Sequence, residues 1–126
     1  MTTKIGRILL YVKNVEEVVA FYELHFGLKP LRLPGDRIVE LVCGQGGPNI
    51  MVHQAGKAQA KGQSTVKLVF DVEDVEVFIK SAAKNGLKFG KPHQADGYTF
   101  ANAKDPNGNS VSISSRAFRM NHNAKP

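Results

Sequence analysis

Val12-Lys13-Asn14-Val15-Glu16 and Val72-Glu73-Asp74-Val75-Glu76 are one phrase written twice, sixty residues apart. Each follows a short apolar run, Ile8 to Val12 or Leu68 to Val72, and opens a helix-periodic stretch closing on Gly-Leu-Lys, at 27 to 29 and again at 86 to 88. Asn14 with Glu17 three residues on is a capping-box arrangement, and Asp74 takes the same place in the copy. The apolar stripes are Val15, Val18, Val19, Tyr22 and Phe26, then Val75, Phe78, Ile79, Ala82 and Ala83, with glycine supplying each stop. β-rich sequence follows: strands over Pro30 to Leu33, Arg37 to Cys43 and Asn49 to Gln54, with turns at Pro34-Gly35-Asp36 and Gly44-Gln45-Gly46-Gly47. The second half starts less regularly near Phe89, then runs through Tyr98 to Ala103, the turn Asp105-Pro106-Asn107-Gly108, and Asn109 to Ser115. A β-α-β-β-β unit written twice predicts an α+β fold of two tandem modules.

At 126 residues the chain has the length of one domain, and each half alone would bury too little surface to be comfortable. The expected division is a single domain over 1–115, with module one at 4–54, a linker at 55–63, module two at 64–115, and a C-terminal tail at 116–126. Hydrophobic residues at 42% and charged residues at 22% suit a soluble protein, and no apolar run approaches the roughly 20 residues that span a bilayer. The opening Met1-Thr2-Thr3-Lys4 lacks the apolar core of a secretion signal, so a cytoplasmic protein with no membrane partner is expected. Cys43 stands alone and cannot form an internal disulfide. The net charge of +6 does not argue for nucleic acid, because the lysines are dispersed and no aromatic-plus-basic cluster accompanies them.

Alternation along the strands separates two faces of each sheet. Ile8, Leu10 and Val12 oppose Arg7, Leu9 and Tyr11. Ile50 and Val52 oppose Asn49, Met51 and His53. Leu68, Phe70 and Val72 oppose Lys67, Val69 and Asp71, and Val111 and Ile113 oppose Ser110, Ser112 and Ser114. One face of each sheet is apolar toward its helix. The other mixes polar and apolar groups, as a small-molecule pocket does.

The chain resembles the vicinal oxygen chelate superfamily of glyoxalases, bleomycin-resistance proteins, fosfomycin-resistance enzymes, extradiol dioxygenases and methylmalonyl-CoA epimerase. The resemblance rests on Tyr11-Val12-Lys13-Asn14 leading to Ala20-Phe21-Tyr22 and Phe26-Gly27-Leu28, and on Lys104-Asp105-Pro106-Asn107-Gly108-Asn109 before the last strand. It covers about residues 4 to 115. It implies a curved mixed-sheet cup built from the two modules, a homodimer, and in many members a divalent metal held by one side chain from each of four strands. Carrying those four positions over gives Arg7, Met51, Lys67 and Ser112. Arg7 and Lys67 hold matching places in the repeat, as do Met51 and Ser112.

Arginine offers no lone pair and lysine must first lose a proton, so this is not a ligand set for a dication. No metal and no other cofactor is therefore expected, with a displaced divalent metal on His53, Asp71 and Glu40 as the alternative. Two cations facing a cup need an anion, either a protein carboxylate (Asp71 or Glu40) or a ligand carrying a carboxylate or phosphate. Arg7, Lys67, Tyr11, Met51, His53, Asp71 and Ser112 are accordingly the candidate ligand-binding residues, and no catalytic residue is assigned. The bland reading keeps the stems of Arg7 and Lys67 packed on the sheet with their heads at the rim. The function expected is metal-independent binding of a small, anionic molecule, and the alternative is a glyoxalase-like lyase or isomerase, or a dioxygenase-type enzyme.

Overall fold

The structure, a computed structural model, describes residues 2, 5–44, 46–57 and 66–119. The expected linker from residue 58 onward, the expected tail from residue 120 onward, and Gln45 lie outside the described residues. The chain divides into two compact units, the first comprising 1–63 with 105–108, the second 64–104 with 109–126.

In the first unit β1 (Arg7–Val12) leads into α1 (Val15–Phe26), followed by β2 (Lys29–Leu31), β3 (Val39–Val42) and β4 (Asn49–Gln54). The sheet order is β1-β4-β3-β2, with β1 parallel to β4 and the remaining pairs antiparallel. Asn14 caps α1 through its side-chain oxygen, which accepts from the Glu17 amide, and Gly27 ends it at φ 70 in the left-handed region that glycine enters without penalty. Val12, Tyr22, Leu41 and Val52 have no exposed surface and form the centre of this unit's core.

The second unit repeats the plan. It comprises β5 (Lys67–Asp71), α2 (Val75–Lys84), β6 (His93–Gln94), β7 (Thr99–Lys104) and β8 (Ser110–Ser114), in the order β5-β8-β7-β6. Asp74 caps α2 by accepting from the Val77 amide, and the core closes on Ala101, Val111 and Ile113, each fully buried. A short 3-10 turn, Arg116–Phe118, follows β8.

Two strands are shorter than the sequence pattern predicts, for a local reason. Leu33-Pro34-Gly35-Asp36 closes a turn in which the Asp36 amide donates to the Leu33 carbonyl and Gly35 sits at φ 77, and the Ile38 amide then donates to the Asp36 carboxylate. These bonds occupy groups that a ladder would need, so β3 starts at Val39 instead of Arg37. In the second unit no strand forms at Phe89; its ring is buried, and β6 follows as a two-residue strand at 93–94. Ala83, assigned to the α2 stripe, is exposed, while Phe21, left out of the α1 stripe, is buried.

The Asp105–Gly108 turn belongs to the first unit and is built around one buried carboxylate. Asp105 is 4% exposed, accepting from the Asn107 amide at 2.8 Å through Oδ1 and from the Tyr22 hydroxyl at 2.8 Å through Oδ2. Asn107 in turn accepts from the Lys13 amide at 3.0 Å. Burial, then the Asp105 charge and hydrogen bond, push the Tyr22 phenol far above its ordinary range, so it acts as a permanent donor.

Candidate functional site

On the face of the first sheet turned away from its core, the register aligns Arg7 with Asn49, Leu9 with Met51, and Tyr11 with His53; Glu40 sits beside Met51 and Leu31 beside Glu40. The strand period of two therefore gathers four predicted site residues, Arg7, Tyr11, Met51 and His53, on one surface. Arg7 Nε donates to Glu40 Oε2 at 3.1 Å, and the same oxygen accepts from Asn49 Nδ2 at 2.8 Å. Glu40, one of the two carboxylates considered for this role, is thus the counter-charge of Arg7. The Arg7 side chain is 57% exposed, so the pair is a solvated one that contributes roughly 0–1 kcal/mol and yields readily to competition.

Tyr11 and His53 form a ring pair at 5.6 Å. His53 Nδ1 lies 2.8 Å from the Gln54 carbonyl oxygen. A carbonyl only accepts, so Nδ1 carries a proton in this contact, and in the neutral tautomer that does so the lone pair is at Nε2. Cys43 is half-buried, and burial pushes its thiol up, which keeps it protonated and unreactive at neutral pH.

The open face of the second sheet carries Lys67, Val69 and Asp71 from β5, Ser110, Ser112 and Ser114 from β8, and Phe100, Asn102 and Lys104 from β7. Lys67 Nζ donates to Asn102 Oδ1 at 2.9 Å and lies 5.8 Å from the centre of the Phe100 ring. Its partner is a neutral amide. Among the described residues Lys67 makes no ion pair, so its full positive charge stays on this face. Lys104 adds a second cation, held by the Ser110 hydroxyl at 2.9 Å. Ser112 is 2% exposed and donates to the Ala101 carbonyl at 3.0 Å, which commits its proton to the backbone. Asp71, with Ser114, Arg116 and Arg119, lines a pocket of about 420 Å³ in this unit.

Sequence reasoning missed Asn102, Lys104, Arg116 and Arg119. The first two were legible in the alternation Phe100, Asn102, Lys104, but the register of that strand was settled only by its pairing with β8. The two arginines follow β8 directly and were read as solvated tail.

The four positions that the resemblance assigns to a metal do not fit one. Arg7 is a guanidinium already paired with Glu40, Lys67 is an ammonium, Met51 supplies a thioether, and the Ser112 hydroxyl is turned to a carbonyl. Among the described residues no three His, Cys, Asp or Glu side chains are grouped so as to hold a metal ion.

The family model for the Glyoxalase/Bleomycin resistance protein/Dioxygenase superfamily matches residues 4–113. The chain belongs to this superfamily. No curated protein matches it in sequence. Among solved structures it is similar to a lactoylglutathione lyase from Agrobacterium tumefaciens, at 23% identity and TM-score 0.70, over 90% of this chain and 93% of that one. It is similar also to an antibiotic binding protein from Streptomyces sp. CB03234, at 16% identity and TM-score 0.75, over 89% and 94% of the two chains. A possible glyoxalase from Bacillus cereus gives 19% identity and TM-score 0.71, over 89% and 98%. At these identities the likeness establishes the superfamily fold of two βαβββ modules, which hosts unrelated chemistries. Among the described residues no helix is long and apolar enough to cross a membrane.

Proposed function

We propose that this superfamily member is a metal-independent binding protein for a small molecule carrying a carboxylate or phosphate, with Lys67 on the second unit as its principal anion contact and Arg7 on the first unit as a weaker one. The observation that carries the reading is the neutral partner of Lys67: the Asn102 amide orients the ammonium at 2.9 Å without cancelling its charge. A ligand anion adds there the opposite net charge that the Asn102 amide oxygen lacks, turning a charge–dipole hydrogen bond into an ion pair. Arg7 contributes less, because an anion must compete with Glu40 for it. Tyr11, Met51 and His53 supply an apolar and aromatic surface beside Arg7 on the first unit. The protein acts in the cytoplasm as a homodimer; light scattering behind a sizing column tests the dimer.

Calorimetry against a panel of small carboxylic acids and phosphate esters tests the site itself. Lys67→Ala is expected to weaken the best binder roughly tenfold or more, and Arg7→Ala by a smaller factor. Equal affinities in the wild type and both variants rule the site out.

A second reading, a glyoxalase-like lyase or isomerase or a dioxygenase-type enzyme with a displaced divalent metal, is favoured by one observation. The proton fixed at His53 Nδ1 leaves Nε2 free to accept one from a substrate, close to the Tyr11 ring. Elemental analysis separates the two readings: stoichiometric zinc, nickel, manganese or iron in the purified protein overturns the metal-independent one.

A further inference from the structure

Pocket walls in the second unit carry both signs of charge. Asp71 at the end of β5 contributes a carboxylate, and Arg116 and Arg119, just after β8, contribute two guanidinium groups. Ser114, Val69 and Ala117 complete a lining around about 420 Å³, a volume at the lower end of the range for small-molecule sites. Charges of opposite sign that line one pocket can form ion pairs with each other. Among the described residues none of the three makes one.

The arginines are held in place by other means. Arg116 donates to the Tyr98 hydroxyl at 3.3 Å and its guanidinium carbon lies 5.2 Å from the centre of that ring. Arg119 donates to the Asp96 carbonyl at 3.2 Å and lies 5.5 Å from the centre of the same ring. Gly97, at φ 78, brings the backbone close enough that a side chain there would meet Arg119 at 3.9 Å. Tyr98 thus anchors both guanidinium groups while leaving most of their N–H donors unspent. Two long side chains fixed in advance lose little rotamer freedom when a ligand arrives. The fourth polar group is settled as well, since the Ser114 hydroxyl accepts from the Arg116 amide at 3.1 Å and locks the start of the 3-10 turn.

We propose that this pocket binds a small zwitterion, a molecule with a carboxylate or phosphate at one end and an ammonium group at the other. The anionic end meets Arg116 and Arg119, the ammonium meets Asp71, and the connecting carbons lie along Val69 and Ala117. A simple anion satisfies the arginines but stands near an uncompensated Asp71. A simple cation does the reverse. A ligand bearing both charges sets a group of opposite sign against each sign in the lining, and this requirement selects the class. The inference goes beyond the anion-binding role of Lys67 and shares no residue with its test, so the two stand or fall separately.

Amide chemical-shift titrations of the full chain test it, using ω-amino acids from glycine to 6-aminohexanoate, each beside the carboxylic acid and the amine of the same carbon chain. At least one amino acid is expected to bind roughly tenfold tighter than its matched acid, with shifts at 69–71 and 114–119. Asp71→Asn, which keeps the shape and removes the charge, is expected to bring amino acid and acid within about twofold of each other, whereas Arg116→Gln or Arg119→Gln weakens both roughly tenfold. The proposal is overturned if every amino acid binds no better than its matched acid, if the preference survives Asp71→Asn, or if the shifts map elsewhere. Melting temperatures of the variants, all altered at exposed or half-buried side chains, confirm that each is folded.

Discussion

Tyr22 ties helix α1 to the Asp105–Gly108 turn through a single buried hydroxyl, and its removal is a clean test of what that bond is worth. Tyr22→Phe keeps the ring but takes a donor from a carboxylate that is 4% exposed. The expected loss is about 1–3 kcal/mol, read as a lower urea midpoint at unchanged slope. His25 adds a pH dependence. Among the described residues its buried Nδ1 has no hydrogen-bond partner, its ring packs edge-on against Phe21 at 4.9 Å, and burial holds its pKa below the ordinary value of 6.5. Placement in the last turn of α1 favours a cation, but desolvation wins. With the folded pKa below the unfolded one, the unfolded chain binds more protons between the two values. Stability from this residue is therefore complete above about pH 6.5 and is lost as the pH falls toward the folded pKa. Melting temperature measured from pH 7.5 to 5.5 should fall, and should fall less in His25→Gln. Glu40→Gln probes Arg7: with its counter-charge gone, Arg7 is expected to hold the best acid of the panel several-fold more tightly, and an unchanged affinity would confine Arg7 to its ion pair.

The helices show how much of an element is decided by its own few residues. Both N-caps were legible because a side-chain oxygen reaching an amide three positions on is a local event, and both bonds are present, at 3.0 Å from the Glu17 amide to Asn14 and 3.1 Å from the Val77 amide to Asp74. Asn14→Ala and Asp74→Ala should each cost about 1 kcal/mol in denaturant unfolding, the latter also losing a favourable charge at the helix N-terminus. Strand faces were equally legible, since a period of two needs no knowledge of the neighbour. Strand ends were less so: the capture of the Ile38 amide by Asp36 delays β3, and the stretch expected to begin near Phe89 forms a strand only at 93–94. Ser112 is among the expected ligand contacts, yet it spends its hydroxyl on the backbone of β7, a partner visible only once β7 and β8 are paired.

At the scale of the whole molecule, a net charge of +6 with Lys67 and Lys104 uncompensated on one face predicts anion binding that weakens with salt. Raising sodium chloride from about 0.1 M to 1 M shortens the screening length from about 10 Å to about 3 Å, and the affinity for the best acid of the panel should fall several-fold in calorimetry. The amino-acid sequence by itself determined the duplication, the two caps, the turns and the alternating faces, because each arises from contacts a few residues long and the superfamily follows from their order. Which charge meets which partner was decided only by tertiary structure. Arg7 and Glu40 are 33 positions apart, and Lys67 and Asn102 are 35 apart. Such pairs form or fail according to strand register, and register emerges from the packing of the whole sheet, where no single residue carries the signal.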